Sequence, residues 1–132
     1  MKNSTMERHD FYISSIIEAQ DCRENKFMTE IDIESILRYA VAMANDKGGN
    51  VIVGIDSARN VIGIDYTSGQ IKQLQQTIQH RIAPQLPYHL IQTKYQGKSI
   101  MVINVWDGST KPYLLDSSAY TFGGDQLIIA DN

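Results

Sequence analysis

The segment spanning residues 40–56 constrains this chain more than any other. Small apolar residues, Ala40, Val41, Ala42, Met43 and Ala44, lead into Asn45, Asp46, Lys47, Gly48 and Gly49. A nearly uniform β-branched run follows, Val51, Ile52, Val53, Gly54 and Ile55, closed by Asp56. Five apolar residues at helical spacing upstream (Ile33, Ile36, Leu37, Ala40, Val41) predict a helix with one buried stripe. The double glycine predicts its end, because glycine accepts the left-handed backbone that a helix C-terminus often needs. A β-branched run with no polar alternation predicts a central strand covered on both faces. The alanines let the helix lie close to that sheet.

The glycines favour a structural C-cap over a nucleotide site of the P-loop kind. A phosphate-cradling loop runs from strand to helix, so that N-terminal amides meet the anion, and it needs Gly-Lys-[Ser/Thr]. Here a helix ends at the glycines, and its C-terminus is the partly negative end of the dipole. Asn45, Gly48 and Gly49, with Gly54 and Gly63, are therefore read as structural.

Elsewhere the pattern predicts a strand over residues 11–19, a loop over 20–28 and a helix start capped by Thr29. Residues 61–64 are expected to return antiparallel to 51–55 through a hairpin at 57–60. Thr67 or Ser68 caps a second helix whose apolar side is Ile71, Leu74, Ile78 and Ile82. Its other side carries Lys72, Gln73, Gln75, Gln76, Gln79, His80 and Arg81. Residues 88–95 and 99–106 read as a hairpin joined at Gln96, Gly97 and Lys98. Shorter apolar runs follow at 112–115, 119–122 and 127–130. The expected architecture is α+β, with a mixed, largely antiparallel sheet packed against two main helices. Residues 1–10 are expected to be a flexible N-terminus and 11–132 a single domain.

The chain has 132 residues, enough for one core. It has no apolar run of membrane-spanning length and no signal-peptide core at its start, and its single cysteine, Cys22, has no internal partner. These features predict a reducing cytoplasm and no membrane association. His9, His80 and His89 share no metal-ligand spacing, so no metal or other cofactor is expected. The 12 basic side chains are outnumbered by 15 acidic ones. Nucleic-acid binding relies on cations that displace condensed counterions, so the placement of those cations matters more than their sum.

The order of the motifs is more specific than any one of them. It runs helix, Asn45-x-x-Gly48-Gly49, strand, Gly54-x-Asp56, then Val61-x-Gly63, Ala83-Pro84, Gly97-Lys98 opening a strand, and Lys111-Pro112-Tyr113. This set, from about residue 16 to 124, resembles the Schlafen–AlbA family of nucleic-acid-binding domains. The resemblance implies a domain that binds DNA or RNA mainly through phosphate contacts, within a transcriptional regulator or a homodimer. Candidate contacts are Lys72 and Arg81 on the second helix, and Lys94, Tyr95 and Lys98 at the hairpin, where Tyr95 would stack on an unpaired base. A solvated helix face and an ordinary polar hairpin tip have the same composition.

Departures from the family pattern bear on activity. The family's Glu–aromatic–Lys triplet is Glu18-Ala19-Gln20 here, without the lysine. Members with nuclease activity carry a further glutamate near the position of Ile13. An arginine usually found before a Val-Gly pair is missing from residues 119–123. Glu18 and Asp56 remain as the low-ranked catalytic candidates of a metal-dependent ribonuclease, the only reading that calls for a divalent metal. A third alternative is a protein-interaction module that has lost its nucleic-acid role.

Overall fold

The computed structural model of the chain describes Ser15 and residues 24–130. The expected strand at 11–19 lies outside the described residues, apart from Ser15, whose backbone is helical. The architecture is α+β. A four-stranded sheet has the order β1-β2-β5-β4, built from β1 (Asn25–Met28), β2 (Gly49–Val53), β4 (Tyr88–Tyr95) and β5 (Lys98–Val105). β1 and β2 are parallel, and the other two pairings are antiparallel. Among the described residues two short ribbons stand beside it: β3 (Ile82–Ala83) with β6 (Leu114–Leu115), and β7 (Tyr120–Gly123) with β8 (Gln126–Ile129).

β1 corrects the expectation of a loop at 20–28. Four residues carry it, and Phe27 alone is buried. Such an edge strand has no alternation to read; parallel pairing with β2 makes it a strand. Because β1 runs to Met28, the chain needs a turn before α1 (Ile33–Ala44) can begin. The cap is therefore Asp32 rather than Thr29. Asp32 accepts from the Ser35 amide at 3.3 Å and from the Ser35 hydroxyl at 2.9 Å. The second helix, α2 (Ser68–Arg81), starts as expected. Thr67 and Gln70 form a reciprocal capping box, with bonds of 3.1 and 2.8 Å.

The expected hairpin at 57–60 is present and opens with an antiparallel bridge, but 62–64 does not continue as a strand. A single bridge joins Ile55 to Val61. The Gly54 carbonyl then accepts from both the Ile62 and Gly63 amides at 2.8 Å, and Ile64 donates across to Ser99. Gly54 (φ 113°) and Gly63 (φ 82°) hold conformations that bend the chain over the sheet end instead of extending a ladder.

The main core lies between one face of the sheet and the two helices. Val51, Val53, Met101, Ile103 and Val105 meet Ile36, Leu37, Ala40, Ile71, Leu74 and Ile78 there. On the opposite face Phe27, Ile52, Ile55, Ile100 and Val102 form a smaller cluster, flanked by Val61, Ile91 and Tyr95. At one end of that face Asn25, Asn50 and Asn104 sit in register on adjacent strands and share amide hydrogen bonds of 3.1 and 2.9 Å.

From Ala40 to Ala44 every residue of α1 is fully buried, because a second layer covers its outer side. Tyr113, Leu115 and Phe122, from the C-terminal ribbons, supply that layer. Asn45 fixes it. Its amide donates to the Tyr113 and Tyr120 carbonyls, both at 2.9 Å, and its carbonyl oxygen accepts from the Tyr113 amide at 2.6 Å. Gly108 closes the same corner: its amide caps the Ala44 carbonyl, and an added Cβ would lie 2.1 Å from the Tyr113 ring.

Replacing Asn45 by Ala removes three part-buried hydrogen bonds at once. Each backbone group left unpaired costs about 1–3 kcal/mol, so Asn45→Ala is expected to lower unfolding free energy by about 2 kcal/mol or more. Asn45→Asp keeps the acceptor but sets a carboxylate against two carbonyls, and is expected to do at least as much harm. Urea midpoints at unchanged slope measure both. An unshifted midpoint for either variant contradicts this role.

Candidate nucleic-acid interface

The β4–β5 hairpin turns through Gln96 and Gly97, with φ of 53° and 77°. Two positive-φ residues in a two-residue loop match the right-handed twist of the flanking strands. The turn pairs Tyr95 with Lys98 and Lys94 with Ser99, so two lysines flank the tip on neighbouring strands. Both line an open groove of about 320 Å³, whose other wall is the 62–65 segment. The Lys98 ammonium donates to the Val61 carbonyl at 3.1 Å. Its stem lies against Gly63, where an added Cβ would come within 3.0 Å of the Lys98 Cβ. Gly63 thus serves two ends: its φ bends the chain, and its missing side chain makes room for the lysine.

The groove continues past Gly63, Ile64 and Asp65 into a second concavity of about 400 Å³, walled by Thr29, Glu30, Ile31 and Gln70. Beyond Glu30 a third of about 290 Å³ is lined by Lys26, Asp32, Ser35 and Tyr39 among others. The Lys26 ammonium stands over the Tyr39 ring, 5.1 Å from its centre. Ile62, half exposed, adds an apolar side chain to the lining at the hairpin end.

The other expected contacts are not gathered at this groove. Lys72 stands on the exposed face of α2, outside the groove lining. Tyr95 is half buried and packs against the smaller core cluster, so its ring belongs to the sheet face rather than to the groove. Arg81 is held by two carboxylates. Its Nε donates to both Asp116 oxygens at 3.1 and 3.2 Å, and its guanidinium also pairs with Glu34 on α1. This clasp ties α1, α2 and the β6 turn together. The hydrogen bond from Arg81 holds the carboxyls of Glu34 and Asp116 below their ordinary range, and the two carboxylates in turn push the Arg81 guanidinium further from deprotonation. Lys111 is likewise paired, with Asp107 at 2.8 Å.

Of the two catalytic candidates, Glu18 lies outside the described residues. Asp56 shapes its turn: its oxygens accept from the Asn60 amide at 2.8 Å and the Asn60 side chain at 3.3 Å. The Asn60 amide bond is the main reason its carboxyl sits below the ordinary range. Among the described residues no group of three or more His, Cys, Asp or Glu side chains is arranged to hold a metal, and no helix is long and apolar enough to cross a membrane.

The family model for Schlafen, AlbA_2 matches residues 14–126. The chain belongs to the Schlafen, AlbA_2 family. Two solved structures share the fold. One is the DIP2311 protein from Corynebacterium diphtheriae, with a TM-score of 0.68 and 20% identity over 97% of this chain. This chain spans 27% of that protein's length. The other is the N-terminal domain of a Nitrosomonas europaea protein described as related to the ATP-dependent DNA helicase RecG. It has a TM-score of 0.67 and 14% identity over 93% of this chain and 90% of that domain. No curated protein matches the sequence. In this Schlafen, AlbA_2 domain, Ile62, Ile64, Asp65 and Glu30 are the groove residues that sequence reasoning missed. The one signal for them was Gly63, whose demand for a bend brings 62–65 against the hairpin.

The Arg81 clasp has an acid limit. Carboxyl pKa values lowered by folding add stability that is present above the unfolded values, ordinarily 4.5 for Glu34 and 3.8 for Asp116, and is lost as pH falls through the lower native ones. Arg81→Met is therefore expected to be less stable than the parent at pH 6–7. The difference in melting temperature should shrink below about pH 4. A difference that stays constant down to pH 2 contradicts the clasp.

Proposed function

We propose that this domain binds nucleic acid, DNA or RNA, through phosphate contacts centred on the β4–β5 hairpin. One observation carries the reading: Lys94 and Lys98 share the wall of one open groove, and Lys98 is already fixed there by Val61 and Gly63. An ammonium on a four-carbon stem normally loses side-chain freedom when it grips a phosphate. Lys98 has surrendered part of that freedom on folding. Membership of the Schlafen, AlbA_2 family and the fold shared with a domain of a RecG-related protein support the same reading.

Lys72 extends the proposed contact as a peripheral cation on α2. Arg81 is left out, because its charge is balanced within the clasp. With a net charge of −3, the chain offers few phosphate contacts in all, and the proposed binding is weak at physiological salt. A place in a larger cytoplasmic regulator, or a homodimer that sets two hairpins side by side, would multiply those contacts.

Fluorescence anisotropy across a salt series tests the proposal. Each phosphate contact adds about 0.9 to the slope of log affinity against log salt on duplex DNA, and about 0.7 on a single strand. The double variant Lys94→Ala/Lys98→Ala is expected to flatten that slope by about 1.4–1.8. Lys72→Ala should change it by less than about 1. Absence of binding at low salt, or a double variant indistinguishable from the parent, overturns the proposal.

A further inference from the structure

The groove changes sign along its length. Lys94 and Lys98 mark one end, Asp65 lies where the first two concavities meet, and Glu30 lines the continuation. Among the described residues neither carboxylate forms an ion pair. A phosphodiester backbone laid along the whole groove would carry its charges past both. Asp65 and Glu30 are both exposed at this open groove, and like charges at close range repel there, though less than they would in a dry interior. A backbone that leaves the groove after the lysines avoids both carboxylates and frees the rest of the groove for another part of the nucleic acid.

A base edge meets the requirement. The exocyclic amine of cytosine is a donor that a carboxylate accepts well, whereas thymine and uracil place a carbonyl oxygen at the same ring position. Thymine offers a carboxylate only its N3–H, flanked on both sides by repelling carbonyl oxygens, so the same carboxylate favours cytosine over thymine. The base face needs an apolar surface, and Ile62, half exposed at the lysine end, supplies one beside the groove. The first concavity, at about 320 Å³, is of the size class that takes small organic groups. A base can enter it only when unpaired.

We propose that the groove takes a single strand, with phosphate on Lys94 and Lys98 and an amino-bearing pyrimidine, cytosine, at Asp65. This rests on the nucleic-acid reading above and adds to it a strand form and a base preference. Lys94 and Lys98 supply affinity without sequence information, and Asp65 supplies discrimination without net attraction to the backbone. The two roles are separable by substitution.

Anisotropy with end-labelled oligo-dC and oligo-dT of equal length, at pH 7.5 and low salt, is the test. The parent is expected to bind oligo-dC about ten-fold more tightly. Asp65→Ala should abolish that ratio, mainly by tightening oligo-dT. Lys94→Ala/Lys98→Ala should weaken both ligands and leave the ratio intact. Equal binding of the two oligonucleotides by the parent overturns the inference while the nucleic-acid reading stands. So does tight binding of duplex with none of single strand, or a ratio that survives Asp65→Ala. Binding of no nucleic acid overturns both. The parent's own ratio requires no variant to fold.

Discussion

Three hydrogen bonds made by one side chain fasten the C-terminal layer to the end of α1. Asn45 stands at the C-terminal end of α1, where the last helical carbonyls have no internal donors. It spends its amide on the Tyr113 and Tyr120 carbonyls and takes the Tyr113 amide in return. Without it, Tyr113 and Tyr120 lose their direct hydrogen bonds to the end of the helix whose outer side the C-terminal ribbons bury. The full burial of residues 40–44 depends on that layer. Gly48 and Gly49 serve the same corner from the other direction. Gly48 adopts φ 83°, and both glycines press so closely on neighbouring backbone that a Cβ would fall 2.7 Å from a carbonyl oxygen. The Asn-x-x-Gly-Gly motif is thus a single packing device, in which the glycines bring the strand in and the asparagine brings the C-terminal layer on.

What the sequence made legible is what local physics decides. α2 could be read to its cap, because Thr67 and Gln70 lie three residues apart and Ile71, Leu74 and Ile78 repeat at helical spacing. The β4–β5 hairpin was equally clear, since its turn chemistry is held in two residues. β1 was not, because one buried residue in four leaves no period to detect. The 61–64 segment misled for a related reason. It is apolar enough for a strand, yet Gly54 and Gly63 turn it across the sheet end. The partners of Asn45 lie 68 and 75 residues away, and those of Arg81 lie 35 and 47 away. A lone arginine at a helix end carries no mark of the two distant carboxylates that will claim it.

That last point governs how charge should be read. Counted along the chain, Arg81 and Lys111 belong with the cations available to a polyanion. In the fold each faces a carboxylate, and their charge serves the structure. Lys94 and Lys98 differ because the hairpin puts them together at a concave surface and the Val61 carbonyl orients one of them without neutralising it. A carbonyl is a dipole and a carboxylate is a charge; only the second cancels an ammonium's field at a distance. Net charge therefore understates what this surface can attract, and a census of lysines and arginines overstates it.

The geometry that fixes the lysine also fixes the acid. Gly63 is the shared residue: its neighbours Ile64 and Asp65 wall the groove on one side, and the stem of Lys98 crosses it on the other. Any side chain at position 63 would push Lys98 away and alter the bend that presents Asp65. Cation and anion are thereby held in a constant relation by backbone, not by contact with each other. A pair in direct contact would cancel and leave a neutral patch. Held apart, one on β5 and one on the bend that packs against it, each keeps its field, and the groove retains two chemically distinct groups.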